Sequence, residues 1–552
     1  MAYLLGPITA VSPSGLTSAL SNTTSYLSTT LLSVLQNGQS DFRSFSANSS
    51  SVSITAVSTR DNENYPFFDF HFAGSDLNIT AGSATDISKH SIYRIGSISK
   101  LFTVYTLLVG YGLQHWDNSI TNCIPELRAA TPPRPYNPIA HTDWNDITIG
   151  DLASQSSGIE RDYANADLAT QSFPWTEAGL PNLPQKVIPT CGAGNPGQSA
   201  CNRTVWFQGL VERHPVYAPA TTPTYSNAAF RLLGYVLEAL STKSFAALVQ
   251  SVVLQPFDLS DTSAASPPTH GSWVIPNGDS AFFEDVGDET PTAGIYSSSD
   301  NLARFGRNIL LNKQLSALDT RRWMKPKVHT SSLYFSVGSP WEIWRTHSLG
   351  LYSSYVMLIP DYGVAISILT AGSSNAAVIT IATELVLQSL IPALEAEIVV
   401  QACESMCGIY KTTKANINSS LAIASDANGL FIDSFINNGV DIKNTIENYA
   451  ASTGSNPITT IRLQATNLQS HSDATLRVAY RALFEKQPPN GTHPRVLDPN
   501  ATLWSAIDEN MYGSISADDL VVSFDSQGYA TQIEPRIIRD TLNRADEGHS
   551  RH

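Results

Sequence analysis

The sequence has few charged residues, and most of them are acidic. Only 15% of the 552 residues are charged, and 48 Asp and Glu against 33 Lys and Arg give a formal net charge of -15. No run of basic residues occurs, so we expect no binding to nucleic acid or to an anionic membrane surface. We also expect no membrane span, because no apolar stretch is long enough to cross a bilayer.

Motifs for several kinds of chemistry are missing as well. The sequence has no His-Glu-x-x-His and no Cys-x-x-Cys pattern, which would indicate metal ligands, and no Gly-rich phosphate-binding loop. It also lacks the Gly-x-Ser-x-Gly pattern that surrounds the nucleophile of another large class of hydrolases. We therefore expect a protein that works with neither a metal ion nor a cofactor.

Cysteine is scarce, and its five residues leave the redox state open. Cys191 and Cys201, like Cys403 and Cys407, are spaced to close small disulfide loops, with Cys123 left over; five reduced thiols are the alternative. The N-terminus lacks the basic region of a signal peptide, whereas seven Asn-x-Ser/Thr sequons favour secretion. The compartment is therefore unknown at this level, and so is the oligomeric state.

The segment Tyr93–Lys100 combines reactive residues with the start of an apolar helix. Side chains three residues apart share a helix face, so Lys100 can reach the hydroxyl of Ser97. A serine hydroxyl needs a base to become a strong nucleophile, and a lysine amine buried away from carboxylates can serve as that base. Free N–H groups at a helix start can hold an oxyanion. We interpret Ser97 as nucleophile and Lys100 as base; the alternative is a helix cap followed by a surface lysine.

Tyr225 and Asn227 form a second candidate group, also at the entry to an apolar helix. A tyrosine hydroxyl beside a lysine can pass a proton between nucleophile and leaving group. The amide of Asn227 can bind a substrate carbonyl. Packing is the alternative role for both residues.

Hydrophobic spacing and turn residues outline the secondary structure of the first 400 residues. They predict helices at Ser14–Leu35, Ile147–Ser154, Ala228–Leu240, Asp300–Leu311 and Ala376–Val400, and strands at Ser51–Thr59, Phe67–Ala73, Tyr352–Ile359 and Gly363–Thr370. Between Phe173 and Pro215 the chain is rich in Pro, Gly and Cys, which predicts a long loop that is either a lid or a disordered insertion.

The C-terminal part has the pattern of a β-domain. Asn428-Gly429 and Asn438-Gly439 predict turns, and Ile458–Gln464 and Leu476–Phe484 alternate as strands do. We predict a first domain at residues 1–400, an all-β domain at 401–544, and a polar tail at 545–552.

Together these motifs resemble the serine β-lactamase and penicillin-binding-protein-like superfamily, in particular its class C-like branch of esterases, D-peptidases and acyltransferases. Ser97–Lys100 matches the Ser-x-x-Lys motif, and Tyr225–Asn227 matches Tyr-x-Asn. Ile147–Ser154 is similar to the segment that precedes the lid of such proteins, and Ala293–Ser297 is similar to their later Gly-rich turn.

The resemblance covers roughly residues 50–389 and implies an α+β fold. A five-stranded antiparallel sheet flanked by helices is expected beside an all-α lobe that carries Tyr225, so that Lys100 and Tyr225 converge on Ser97 between them. Pro340–Ile343 and the C-terminal β-rich part are most similar to a fungal-type subgroup whose last domain is lipocalin-like.

The third motif of this superfamily departs from the usual pattern. A Lys/His-Ser/Thr-Gly triplet normally lies on the innermost strand and binds the substrate carboxylate; His347, Ser348 and Leu349 are its nearest equivalent here. Leu349 stands where the family has Gly, and the segment after Trp341 is shorter than usual. We assign the three residues to substrate binding and expect the change to affect substrate choice or turnover.

Two functions remain at this level. The first is a β-lactamase-like serine hydrolase or acyltransferase, of the esterase, transesterase or D-peptidase type, that acts through an acyl-enzyme on a small-molecule ester or amide, in secondary metabolism for example. The second is a binding protein that keeps the fold but has lost catalysis. The degraded third motif favours the second function, whereas the complete set of Ser97, Lys100, Tyr225 and Asn227 favours the first.

Overall fold

The computed structural model divides into two compact units. Tyr26–Val386 forms the larger unit, and Leu387–His552 belongs with Met1–Ser25 to the smaller one. The structure describes residues 20–60, 66–133, 136–138, 140–165, 167–170, 183–193, 195, 197–269, 272–279, 281–329, 336–341, 347–360, 362–452, 458–472, 475–486, 511–512 and 515–545. The predicted boundary at residue 400 falls within a helix and stays a prediction.

The larger unit is built on an antiparallel sheet from both ends of its chain. Its five strands lie in the order β2-β1-β9-β8-β7. They are β1 (Ser50–Ser58), β2 (Phe68–Phe72), β7 (His347–Leu349), β8 (Tyr352–Ile359) and β9 (Val364–Gly372). Two further ladders join β3 (Tyr93–Arg94) to β4 (Tyr296–Ser297) and β5 (Val328–His329) to β6 (Ser336–Val337). Strands β1 and β9 are buried along their whole length, as expected for the centre of a covered sheet.

Most α-helices of the larger unit lie between β2 and β7 in the chain. Together with the first and last helices of this part of the chain, they are α1 (Ser21–Asn37), α2 (Ser99–Tyr111), α3 (Pro125–Ala130), α4 (Ile149–Ala153), α5 (Arg203–Leu210), α6 (Asn227–Ser241), α7 (Phe245–Val249), α8 (Thr290–Ala293), α9 (Ser299–Leu310), α10 (Ala317–Trp323) and α11 (Asn375–Met406). Helix α9 packs on the sheet, where Gly306 permits the close approach: a Cβ there would lie 2.7 Å from Leu358 Cδ2.

Helix α2 lies in the centre of the larger core. Ten consecutive residues from Ser99 to Leu108 are buried. Phe102 stacks on Phe305 with ring centroids 4.2 Å apart, and Tyr105 meets the same ring edge-on at 5.3 Å. Each fully buried aromatic ring of this kind adds about 1.5–3 kcal/mol to the free energy of unfolding. The helix is therefore a fixed platform for any residue at its start.

The smaller unit contains a closed barrel of eight strands. The strands of the smaller unit, inside and outside the barrel, are β10 (Gly408–Thr412), β11 (Ser420–Asp426), β12 (Gly429–Asn437), β13 (Val440–Asp441), β14 (Ile458–Ser472), β15 (Thr475–Lys486), β16 (Met511–Tyr512), β17 (Ile515–Ser516), β18 (Asp519–Phe524), β19 (Ala530–Pro535) and β20 (Leu542–Arg544). The order β11-β10-β20-β19-β18-β15-β14-β12 closes on itself because β11 also pairs with β12. Strand β13 pairs antiparallel with the end of β12, and helix α12 (Ile442–Ser452) follows it.

The predicted combination of an α+β part with a β-rich C-terminal part is confirmed. The sheet inventory is larger than predicted, since three two-stranded ladders and a nine-stranded sheet accompany the five-stranded one. Ladders of two residues per strand leave no alternating pattern in the sequence, which is why they escaped prediction. The segment 171–182 of the predicted lid loop and residues 342–346 lie outside the described residues.

The structure answers one question that composition left open, the state of the cysteines, and contradicts one expectation, the absence of a long apolar stretch. Cys191–Cys201 and Cys403–Cys407 are disulfide-bonded, and Cys123 is a free thiol. Helix α11, with 32 residues and a mean hydropathy of 1.8 in its most apolar window, is long and apolar enough to cross a membrane, so the expectation of no such stretch was wrong. Half of that window is buried inside the protein, and core helices meet the same criteria.

Candidate active site

Ser97 lies in a 3-10 turn, Gly96–Ile98, that leads directly into helix α2. Gly96 has a φ of 51°, a conformation that favours glycine and turns the chain sharply before the hydroxyl. Strand β8 fixes the turn from one side, because Ser354 Oγ donates to the carbonyl of Ile95 at 2.7 Å. Ser97 itself is half-buried, as a nucleophile that must meet a substrate needs to be.

Lys100 extends from the first turn of α2 back to this hydroxyl. Its amine lies 3.0 Å from Ser97 Oγ, 2.8 Å from Asn227 Oδ1 and 3.0 Å from the carbonyl oxygen of Thr292. The residue is only 3% exposed, and its three nearest polar partners are all uncharged. The predicted approach of amine and hydroxyl is therefore present in the structure.

Tyr225 lies immediately before helix α6 and reaches the same hydroxyl. Its OH is in direct hydrogen-bond contact with Ser97 Oγ, and the Lys100 amine lies 4.7 Å from the centre of its ring. The loop after α4 holds this segment: Gln155 Oε1 accepts from the N–H of Ser226 at 2.8 Å, and Ser226 Oγ donates to the Glu160 carbonyl at 2.7 Å. Ser226 also caps helix α6 by accepting from Ala229 N.

Asn227 connects this helix start to the lysine. Its Oδ1 is the acceptor for Lys100, and its Nδ2 donates to Asp162 Oδ2 at 2.8 Å. Asp162 Oδ1 in turn accepts from Asn165 Nδ2 at 2.7 Å. A chain of hydrogen bonds thus runs from Asp162 through Asn227 to Lys100 and Ser97.

Helix α8 and the Gly-rich turn that follows it close the other side of the lysine. Thr292 supplies its carbonyl to the amine, and the neighbouring Ile295 N–H donates to Ser99 Oγ at 3.1 Å. Ladder β3–β4 pairs Tyr93 with Ser297 and so ties the two segments together. The sequence indicated the Gly-rich turn but not the role of Thr292 as an acceptor for Lys100, because a backbone carbonyl leaves no signal in the sequence.

Strand β7 brings the third motif to the edge of the site. It lies beside the Gly96–Ile98 turn, and it pairs with β8 in the register His347 to Ser354, Ser348 to Ser353 and Leu349 to Tyr352. The backbone of His347, Ser348 and Leu349 therefore forms an edge strand of the five-stranded sheet, whereas the resemblance implied the innermost strand. The assignment of their side chains to substrate binding stays a prediction.

Two carboxyl groups in the loop after α4 have unusual proton affinities. Burial raises the pKa of Glu160 to about 7, and both of its carboxylate oxygens lack a hydrogen-bond partner among the described residues. Burial, together with the charge of Glu289, raises the pKa of Asp162 to about 7, against the opposing effects of its two amide partners and Lys100. Neither residue was predicted from the sequence, although both follow shortly after the Ile147–Ser154 segment that resembles the approach to the lid.

Within the described residues, no group of three or more His, Cys, Asp or Glu side chains is placed to hold a metal ion. The chemistry available at Ser97 is that of a hydroxyl with an amine and a phenol beside it. Such a group can transfer protons to and from a serine nucleophile.

Comparison with known proteins identifies the family of this chain. Residues 78–390 match the Beta-lactamase family, and residues 399–546 match a family described as the C-terminal domain of beta-lactamase-like proteins. A "Beta-lactamase-like protein" of Arthroderma benhamiae is 28% identical over 498 residues, which are 82% of this chain and 81% of the relative.

Further relatives are more distant or shorter. A "Probable hydrolase M10" of a Phoma species is 26% identical over 67% of this chain and 64% of its own length. A human "Putative beta-lactamase-like 1" is 24% identical over 52% of this chain and 55% of its own length.

Two solved structures are matched at lower sequence identity. A D-stereospecific amidohydrolase from Streptomyces is matched with a TM-score of 0.45 and 17% identity, over 66% of this chain and 98% of its own. A penicillin-binding protein homologue from Pyrococcus abyssi is matched with a TM-score of 0.47 and 16% identity, over 84% and 96%. Since the Beta-lactamase family match spans more than half of its residues and includes Ser97, Lys100 and Tyr225, this chain belongs to the β-lactamase family.

Proposed function

We propose that this protein is a serine hydrolase that cleaves an ester or amide of a small molecule through an acyl-enzyme on Ser97. The observation that carries the proposal is the set of partners around Lys100. A neutral amine has two N–H bonds to donate and one lone pair. Asn227 Oδ1 and the Thr292 carbonyl are pure acceptors for the two N–H bonds, which leaves the lone pair for the hydroxyl of Ser97.

The acylation step follows from these positions. Ser97 Oγ bonds to the substrate carbonyl carbon while its proton moves to Lys100, and the C=O electron pair moves onto oxygen. When the tetrahedral intermediate collapses, the bond to the leaving group breaks. Tyr225 gives its proton to the departing alkoxide or amine, and the Lys100 ammonium returns a proton to Tyr225.

The negative charge on the substrate oxygen needs donors near Ser97. The N–H of Ser97 is at the start of a helical turn, where backbone N–H groups are not used by the helix itself. Strand β7, beside the same turn, supplies a second N–H at Leu349 in this proposal. Water then attacks the acyl-enzyme with the proton transfers reversed; an alcohol in place of water would make the protein an acyltransferase.

The third motif and the names of the relatives favour an ester or amide substrate other than a β-lactam. Without the Lys-Thr-Gly form of that motif, strict recognition of a β-lactam carboxylate is not expected, which favours esters and amides of other small molecules. Two fungal relatives carry the names "Probable hydrolase M10" and "Probable hydrolase clz13". The alternative, a non-catalytic binding protein, does not account for the set of partners around Lys100.

Covalent labelling tests the proposal. Intact-mass analysis of the wild type with a fluorophosphonate should show one adduct, mapped by peptide analysis to Ser97. The adduct should be absent in Ser97→Ala and retained in Ser99→Ala, a control that removes the neighbouring hydroxyl. If the folded wild type gives no adduct at any pH between 6 and 10, or if the adduct maps elsewhere, the binding-protein alternative takes its place.

A further inference from the structure

Asp162 is connected to the candidate base through a single side chain. Its Oδ2 accepts from Asn227 Nδ2 at 2.8 Å, and Asn227 Oδ1 accepts from Lys100 at 2.8 Å. An amide has one acceptor end and one donor end. An ionised carboxylate can only accept, so it dictates that Asn227 turns its NH₂ towards Asp162 and its oxygen towards Lys100.

The direction of this amide matters for the base. With the oxygen towards Lys100, the amine donates to Asn227 and keeps its lone pair for Ser97. With the amide reversed, Asn227 Nδ2 would donate to the amine and occupy the lone pair that the Ser97 proton needs. The orientation of one amide therefore decides whether the amine can act as a base.

We propose that Asp162 is a positioning residue that keeps Lys100 competent as a base by fixing the orientation of Asn227. The proposal rests on the proposed function, because it assigns Asp162 a role in that same reaction. A protonated Asp162 carries an O–H group that can donate to Asn227 Oδ1 when the amide is reversed, so loss of the negative charge no longer fixes the orientation of Asn227.

The surroundings of Asp162 bring the pKa of its carboxyl group near neutral pH. Burial and the Glu289 carboxylate, which precedes α8, raise the pKa of Asp162 to about 7. Lys100 and the amides of Asn227 and Asn165 act in the opposite direction. The same loop carries Glu160, whose own pKa is also raised to about 7, and Arg161, whose guanidinium lies over the ring of Tyr225. Asp162 is thus neutral at pH 5 and ionised at pH 9.

The expected consequence is a pH dependence of Ser97 acylation. The rate of fluorophosphonate labelling should rise with pH through about 7 as Asp162 loses its proton. In Asp162→Asn the rate at pH 9 should fall about 10- to 100-fold, the range found when a reacting group is misplaced by about an ångström. The rise near pH 7 should disappear in the same variant.

Glu160→Gln is the matched control, because Glu160 titrates in the same range on the same loop but makes no hydrogen bond to Asn227 or Lys100. It should keep the wild-type rate at pH 9 and keep the rise, moved to slightly lower pH because one neighbouring negative charge is gone. If Glu160→Gln abolishes the rise and Asp162→Asn keeps it, the proposal is overturned.

A second variant keeps the test decisive if Asp162→Asn fails to fold. Asn165→Ala removes the other amide from Asp162, and since that amide lowers the pKa of the carboxyl, the rise should move to higher pH. An unmoved rise overturns the proposal. Absence of labelling in the wild type at every pH would instead count against the acyl-enzyme function, so the two failures are distinguishable.

Discussion

Two of the buried basic side chains in the larger unit, Lys100 and Arg231, have opposite surroundings. Lys100 is 3% exposed, and its hydrogen-bond partners Ser97, Asn227 and Thr292 are all uncharged. Arg231 is 1% exposed and meets two carboxylates, Glu289 at 2.7 Å and Asp288 at 3.3 Å.

The surroundings of Arg231 are those of a structural cation, whereas those of Lys100 suit the base of the proposed mechanism. Carboxylates around Arg231 offset the cost of burying its charge, and the Cys201 carbonyl and the Tyr235 hydroxyl complete its hydrogen bonds. Lys100, in contrast, has no carboxylate among its hydrogen-bond partners within the described residues, which are an amide oxygen, a backbone carbonyl and a hydroxyl. Replacing each residue by Met, which is similar in length and uncharged, should therefore affect different properties.

The largest effect is expected for Lys100→Met, and it should be on activity. Fluorophosphonate labelling of Ser97 should slow by about 10²- to 10⁴-fold, the usual contribution of a general base. The free energy of unfolding should fall by only about 1–3 kcal/mol, because Asn227 Oδ1 and the Thr292 carbonyl lose their donor while no directly paired carboxylate loses its cation. Labelling kinetics and urea unfolding measure the two quantities, and a large loss of stability at normal labelling would reverse the assignment.

Arg231→Met should have the opposite effect. Removing one partner of a buried ion pair leaves a buried carboxylate without its cation, and we expect a loss of about 3–5 kcal/mol in urea unfolding. At pH 9, where Asp162 is ionised, the folded variant should label Ser97 within about threefold of the wild-type rate, because Arg231 does not touch the site. A variant that stays as stable as the wild type would show that this ion pair is not structural.

Glu160→Gln, with a smaller effect, extends the comparison to a buried anion. Because burial raises the pKa of Glu160 from 4.5 to about 7, the folded state binds this proton more tightly than the unfolded state, so wild-type stability falls as pH rises through that interval. Gln cannot lose a proton, so the variant should gain about 3 kcal/mol over the wild type at pH 8 and almost nothing at pH 4.5. Urea unfolding at both values checks it, and a pH-independent difference would show that the raised pKa is not the cause.

Much of the larger unit could be predicted because its signals are local. The strands at Ser50–Ser58 and Tyr352–Ile359 and the helix at Ser299–Leu310 were predicted to within a few residues, since alternation and helical spacing mark buried faces directly. The approach of Lys100 to Ser97 was also predictable, because three residues of helix fix it. The approach of Tyr225, from more than a hundred residues away, rested on the resemblance alone.

Other features left no local trace. Asp162 and Glu160 are ordinary acidic residues in a loop, and only the packing around them raises their pKa values and gives one of them two amide partners. The closure of the C-terminal barrel depends on the pairing of β11 with both β10 and β12, which alternation within each strand cannot specify.

The sequence by itself determined the chemistry that is available: a serine and a lysine one helical turn apart, a tyrosine and an asparagine at a second helix start, and no motif for a metal site. The tertiary structure decided which groups face each other. It placed the Thr292 carbonyl and Asn227 against Lys100, and Asp162 behind Asn227, because hydrogen-bond partners and desolvation are set by neighbours in space and not by neighbours in the chain.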